Sequence, residues 1–173
     1  ALLWPKPWKV AVNVAAAQLL NRNFSRSVLQ ILESSGLPPE RLKLEITESS
    51  LVAESGQARE QLERLRSERI RIALDDFGTG YSSLSYLKEL PIDELKIDQS
   101  FVRAIGETER SAAIVETIIR LAKNLGLSIT AEGAETEDQA AVLRELGCDY
   151  IQGYLYSKPI PSEDLAAFGI ARG

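Results

Sequence analysis

Short β-branched runs alternate with longer amphipathic stretches along the whole chain, and that alternation limits the folds open to it. The runs are KVAVNV at 9–14, RLKLEIT at 41–47, RIRIALDD at 69–76, DELKID at 93–98, LSITAEG at 127–133 and DYIQGYLY at 149–156. Helix-like stretches fill 18–36, 56–70, 82–90, 110–126 and 136–147. They carry apolar residues three and four apart, as in Ile114, Ile118, Leu121 and Leu125. Gly36, Gly126 and Gly147 stand where helices stop. Strands that alternate with helices predict right-handed βαβ units and a parallel sheet.

A closed (β/α)₈ barrel and an open doubly wound sheet both satisfy this pattern, and the polar residues separate them. Asn13, Glu45, Asp75 with Asp76, Lys96 with Asp98, and Glu132 lie near the C-terminal ends of their strands, and Gln152 somewhat earlier in its own. An open sheet gathers its ligand at one switch point. A barrel brings every strand end to one rim, where barrel active sites lie. The spread over all the strands favours an α/β, TIM-type barrel. Six βα units are present rather than eight, so two are missing on the N-terminal side or are supplied by another chain.

Composition narrows the chemistry. The chain has 173 residues, one cysteine, no histidine and a net charge of -5. Histidine general bases, histidine ligands and cysteine-built zinc sites are excluded, and Cys148 is expected to pack as a small apolar residue. The negative balance argues against a nucleic-acid polymer as partner. No apolar run approaches the roughly 20 residues of a membrane span, so the expected location is the cytoplasm, with any membrane attachment lying elsewhere in a parent protein. A start at Ala1 rather than Met is expected of a piece of something longer.

Asp75 and Asp76 are adjacent like charges that a folding core has no use for. With Asn13, Glu45, Glu132 and Gln152 they form a set of oxygen donors, which suits hard cations such as Mg²⁺ or Mn²⁺. A divalent ion would relieve their repulsion. Lys96 has two readings: a salt bridge to Asp98 or a neighbouring strand, or a cation in the barrel mouth that orients a water or a phosphate oxygen. GTGYSS after Phe77 lacks the third glycine of a dinucleotide loop and reads as a mobile loop beside the carboxylates. Glu48 either caps the next helix or ties this loop down.

The series NVAAAQL, LEITES, ALDDFGTGYSSLSYL, ELKIDQSFV, TAEGAET and YIQGYLYSKP resembles the EAL-domain family, from about Val10 to Pro161. These are bacterial phosphodiesterases that linearise cyclic di-GMP. The resemblance implies one EAL-type barrel domain over residues 1–173, holding the last six of eight strands and lacking the Glu-Ala-Leu signature. It implies two Mg²⁺ or Mn²⁺ ions, with Asn13, Glu45 and Asp75 on the first and Asp75, Asp76 and Glu132 around the second. Lys96 would position the attacking water, with Glu132 and Asp76 beside it in the catalytic set, and Gln152 would lie near the metals. Glu48 would steady the loop after the aspartate pair, and Glu135 is the second glutamate of the AEGxET motif. Family members are often dimers behind sensor or GGDEF domains. A binding module without catalysis and an enolase-type barrel remain as alternatives at this point. The chain alone, lacking a metal ligand and a phosphate-binding arginine, is expected to be catalytically weak and to self-associate.

Overall fold

A computed structural model of the chain describes residues 8–48, 56–78 and 87–165. Its sheet has six parallel strands: β1 Val10–Val14, β2 Leu42–Thr47, β3 Arg71–Phe77, β4 Glu94–Ile97, β5 Ser128–Ala131 and β6 Tyr150–Ile151. Their order in the sheet is their order in the chain. Each crossover therefore adds the next strand on the same side as the last, with no reversal point. That is the wall of a TIM-type barrel and not a doubly wound sheet.

The described helices are α1 Ala16–Leu19, α2 Phe24–Ser35, α3 Gly56–Ser67, α4 Gln99–Arg103, α5 Glu109–Asn124 and α6 Glu137–Glu145. Gly36 ends α2 at φ 70°, and Gly126 and Gly147 follow α5 and α6 at 72° and 80°. Thr108 and Thr136 open α5 and α6 by accepting backbone N–H bonds from Ser111 and Gln139. The single helix expected over 18–36 is broken after Leu19, because the Asn21 side chain accepts from the Asn23 N–H at 2.9 Å and offers the backbone a turn instead. The strand expected over 149–156 stops at Ile151, since the chain turns back at Gly153, whose carbonyl accepts from Tyr156 and Ser157. Most of the helix expected at 82–90 lies outside the described residues.

Strand alternation sorts the two faces of the wall. Leu42, Leu44 and Ile46 on β2, Ile72 and Leu74 on β3, and Leu95 and Ile97 on β4 are buried in one core with Leu62 and Leu65 of α3, Val115 and Ile119 of α5, and Leu143 of α6. Cys148 packs partly buried against that core, as expected. The opposite face carries the polar residues. The two end strands carry exposed apolar side chains, with Val12 45% and Tyr150 56% exposed.

Gly153 fixes how the last strand meets the fifth. A Cβ there would lie 2.1 Å from the Ala134 carbonyl oxygen and 2.4 Å from its nitrogen, and backbone cannot move aside as a side chain can. The Gln152 carbonyl accepts from Ala134 N–H at 3.1 Å in the same stretch. Gly153→Ala should cost about 1–3 kcal/mol, the range of overpacking, read as a lower thermal midpoint by circular dichroism.

Candidate metal centre

The polar face of the wall holds one cluster of charges at the C-terminal ends of the strands. Adjacent residues on a strand point to opposite faces, so Asp75 and Asp76 could not both reach one site from a regular β3. The register resolves this. Leu74 pairs with Leu95 and Phe77 with Ile97, so the two aspartates oppose the single residue Lys96. That is a β-bulge. It is completed by Asp76 at φ 55°, a left-handed conformation uncommon outside glycine. The Asp76 N–H donates to Asp75 Oδ1 at 3.1 Å within the bulge.

Lys96 stands at the centre, only 3% exposed. Its Nζ lies 2.9 Å from Glu45 Oε2, 2.9 Å from Asp75 Oδ1 and 2.8 Å from Glu132 Oε1. It therefore pairs with neighbouring strands. Asp98 instead caps α4, accepting the Ser100 N–H at 2.9 Å. Burial alone would lower the Lys96 pKa, but the bonds to Glu132, Glu45 and Asp75 outweigh it and hold the ammonium above its ordinary value. The Glu132 carboxyl is raised by burial, with Asp75 and Glu45 adding to this and Lys96 opposing it. Asp76 is likewise raised, by burial first and then by Asp75 and Asp98, against the pull of Lys96.

Asp75, Asp76 and Glu132 each offer a carboxylate oxygen, and these atoms lie within 4.8 Å of one another. The donors are all oxygen and one ammonium faces several carboxylates, so the residues fit a hard divalent cation. Glu45 joins this group through Lys96, and Asn13 pairs with Glu45 across β1 and β2. The structure thus brings together Glu45, Asp75, Asp76, Lys96 and Glu132, with Asn13 on the adjoining strand. Gln152 and Glu132 line a cavity of about 230 Å³ with Gln99, Arg103 and Tyr154. Glu135 shares that cavity but is bound at 3.2 Å to Arg103, apart from the carboxylate cluster. Glu48 is buried next to the bulge, with Oε2 accepting the Gly78 N–H at 3.4 Å and Oε1 accepting from no described residue. The loop beyond Gly78 lies outside the described residues.

Sequence reasoning passes over a lower layer on the same face. Lys43 Nζ lies 2.8 Å from Glu94 Oε1, and Thr130 Oγ1 donates to the same oxygen at 2.7 Å. The signal was available, since Lys43 and Glu94 sit two positions before Glu45 and Lys96 on their strands and so face the same way.

Comparison with known proteins places the chain in a wider set. The family model described as EAL domain matches residues 2–159. The Pseudomonas aeruginosa protein named cyclic di-GMP phosphodiesterase NbdA is 44% identical over 160 residues, which are 92% of this chain and 20% of that protein. A solved structure of the MucR phosphodiesterase in complex with c-di-GMP, from a protein of the same organism, is 44% identical with a TM-score of 0.86, covering 91% of this chain and 64% of that one. A manganese and cyclic di-GMP complex of Klebsiella pneumoniae BlrP1 is 32% identical with a TM-score of 0.80, covering 87% of this chain and 39% of that one. The chain spans about a fifth of the length of most of the curated relatives it matches, and 40% of one.

Lys96→Met should leave three carboxylates without their common partner and cost about 3–5 kcal/mol, the range for breaking a buried pair. Thermal melts with and without Mn²⁺ check this. The variant should melt lower than the parent, and Mn²⁺ should raise its midpoint more than it raises the parent's.

Proposed function

The chain belongs to the EAL domain family, and from that premise we propose that it forms most of one EAL-type barrel domain whose intact protein hydrolyses cyclic di-GMP to the linear dinucleotide. The observation that carries this reading is the convergence of Asp75, Asp76 and Glu132 within 4.8 Å, around a lysine that is already buried and charged. Family membership sets aside the enolase-type reading. The intact carboxylate set argues against a module that only binds.

In this proposal Asn13, Glu45, Asp75, Asp76 and Glu132 hold one or two Mg²⁺ or Mn²⁺ ions. Such ions, when bound, would offset phosphate charge and make the attacking water more acidic. Everything else is work for the chain's own side chains. Lys96 Nζ, fixed by three carboxylates, orients the water and keeps its proton at neutral pH. Asp76 and Glu132 stand beside it in the catalytic set as carboxylates that can accept the proton the water gives up. Water adds at phosphorus, the phosphorus–oxygen bond to one ribose breaks, and the departing oxygen takes a proton. Gln152 lines the neighbouring cavity, a place to orient the dinucleotide. Glu48 holds the chain after the bulge through the Gly78 N–H. Glu135 has a supporting part, securing Arg103 at the end of α4. The proposal extends to a cytoplasmic location, a homodimer and an upstream sensor or GGDEF domain. No described helix is long and apolar enough to cross a membrane.

Calorimetry with Mn²⁺ and a cyclic di-GMP hydrolysis assay on the intact protein test this reading. Asp75→Asn removes charge at the centre of the cluster and should weaken Mn²⁺ binding by about tenfold or more, with hydrolysis falling in step. Binding of the dinucleotide without turnover by the unaltered protein would convert the reading to a binding module. Glu48→Ala should lower turnover while leaving the far-ultraviolet circular dichroism unchanged, since its Gly78 bond is local. Parent-level turnover in that variant would remove Glu48 from the loop-holding role.

A further inference from the structure

The lower layer has no part in the proposed chemistry, yet it touches the site at one atom. Glu45 and Glu94 stand at the same level of the wall, each paired in register with Ala73 of β3. So small a residue between them leaves a gap that a third side chain can enter. Lys43 reaches into that gap. Its Nζ is 2.8 Å from Glu94 Oε1 and 3.7 Å from Glu45 Oε1. Lys96 meanwhile takes the other oxygen, Glu45 Oε2, at 2.9 Å. Glu45 is thus flanked by two ammonium groups, one at hydrogen-bond distance and one in a longer ion pair.

Glu94 keeps that second pair long. It is 3% exposed, a buried charge that must be compensated, and Thr130 Oγ1 fixes the same oxygen that Lys43 uses. The Lys43 ammonium therefore has its strongest partner in Glu94, outside the proposed cation ligands. Without Glu94, the nearest carboxylate to Lys43 is Glu45, and a second ammonium bonded there would compete with any cation for that oxygen.

We propose that Glu94 is a positioning residue that sets divalent-cation affinity by holding the Lys43 ammonium to a long ion pair with Glu45 and keeping it from closing to hydrogen-bond distance. The inference rests on the reading above that Glu45 helps to hold the cation. It adds that Lys43 and Glu94 act as a pair, so that losing Glu94 is harmful only while Lys43 remains.

Mn²⁺ titration by calorimetry on the intact protein, with thermal midpoints measured in parallel, tests this. Glu94→Gln should weaken Mn²⁺ binding by about tenfold, the low end for outer-shell changes at metal sites. Adding Lys43→Met to Glu94→Gln should restore the affinity to within about threefold of the parent, because the competing charge is gone. A merely structural layer gives the opposite pattern, with the double variant no tighter than the single. That result, or unchanged affinity in Glu94→Gln, would overturn the proposal while leaving the proposed function in place. Absence of Mn²⁺ binding by the unaltered protein would overturn both. Should Glu94→Gln fail to fold, Glu94→Asp shortens the reach to Lys43 and should show a loss of the same sign, again reversed by Lys43→Met. An unreversed loss there counts against the proposal equally.

Discussion

The Lys96 ammonium at the end of β4 binds Glu45 of β2, Asp75 of β3 and Glu132 just beyond β5, at 2.8–2.9 Å in each case. Four neighbouring strands are tied at their C-terminal ends by that one charge. The arrangement is costly to break at the lysine, because its removal leaves three carboxylates without their common partner inside the wall. It is also poised for a change of partner. Three carboxylates gathered around a monovalent cation, with a fourth at Asp76, hold more negative charge than one ammonium balances. In the proposed function a divalent ion would draw on carboxyl groups from this same cluster.

That arrangement depends on a local departure from strand geometry. The bulge opposite Lys96 places two consecutive aspartates at one site, and Asp76 takes a left-handed backbone conformation to do so. Such a residue costs on the order of 1–3 kcal/mol and persists only where its surroundings over-determine it. Here the surroundings are β4 on one side and Glu48, bonded to Gly78, on the other. Strain at the aspartate pair and the hold on the following loop are parts of one piece of backbone.

Much of the site was legible in the chain because strands repeat every two residues and barrels collect strand ends. Asn13, Glu45, Asp75, Asp76, Lys96 and Glu132 all lie on that rim or the strand beside it. Two features were less legible. The partner of Lys96 could not be chosen between Asp98 and a neighbouring strand, since spacing says which face a side chain takes but not which strand lies next to it. The Lys43–Glu94 pair was passed over because the two residues are 51 positions apart and meet only across Ala73. The broken helix at Asn21 and the short last strand at Gly153 followed from hydrogen bonds and backbone contacts that a periodicity count does not register.

The sequence by itself determined the element order, the parallel sheet, the absence of histidine or thiol chemistry and the residue types of an oxygen-donor site, because these follow from composition and from the periods of strand and helix. Only the tertiary structure decided the unbroken strand order, the bulge that turns Asp75 and Asp76 to one side and the three-way bonding of Lys96. It also decided how Lys43 is shared between Glu94 and Glu45. The physical reason is distance along the chain: each of these is a relation between side chains on different strands, and their separation is fixed by sheet register and not by anything local to either residue.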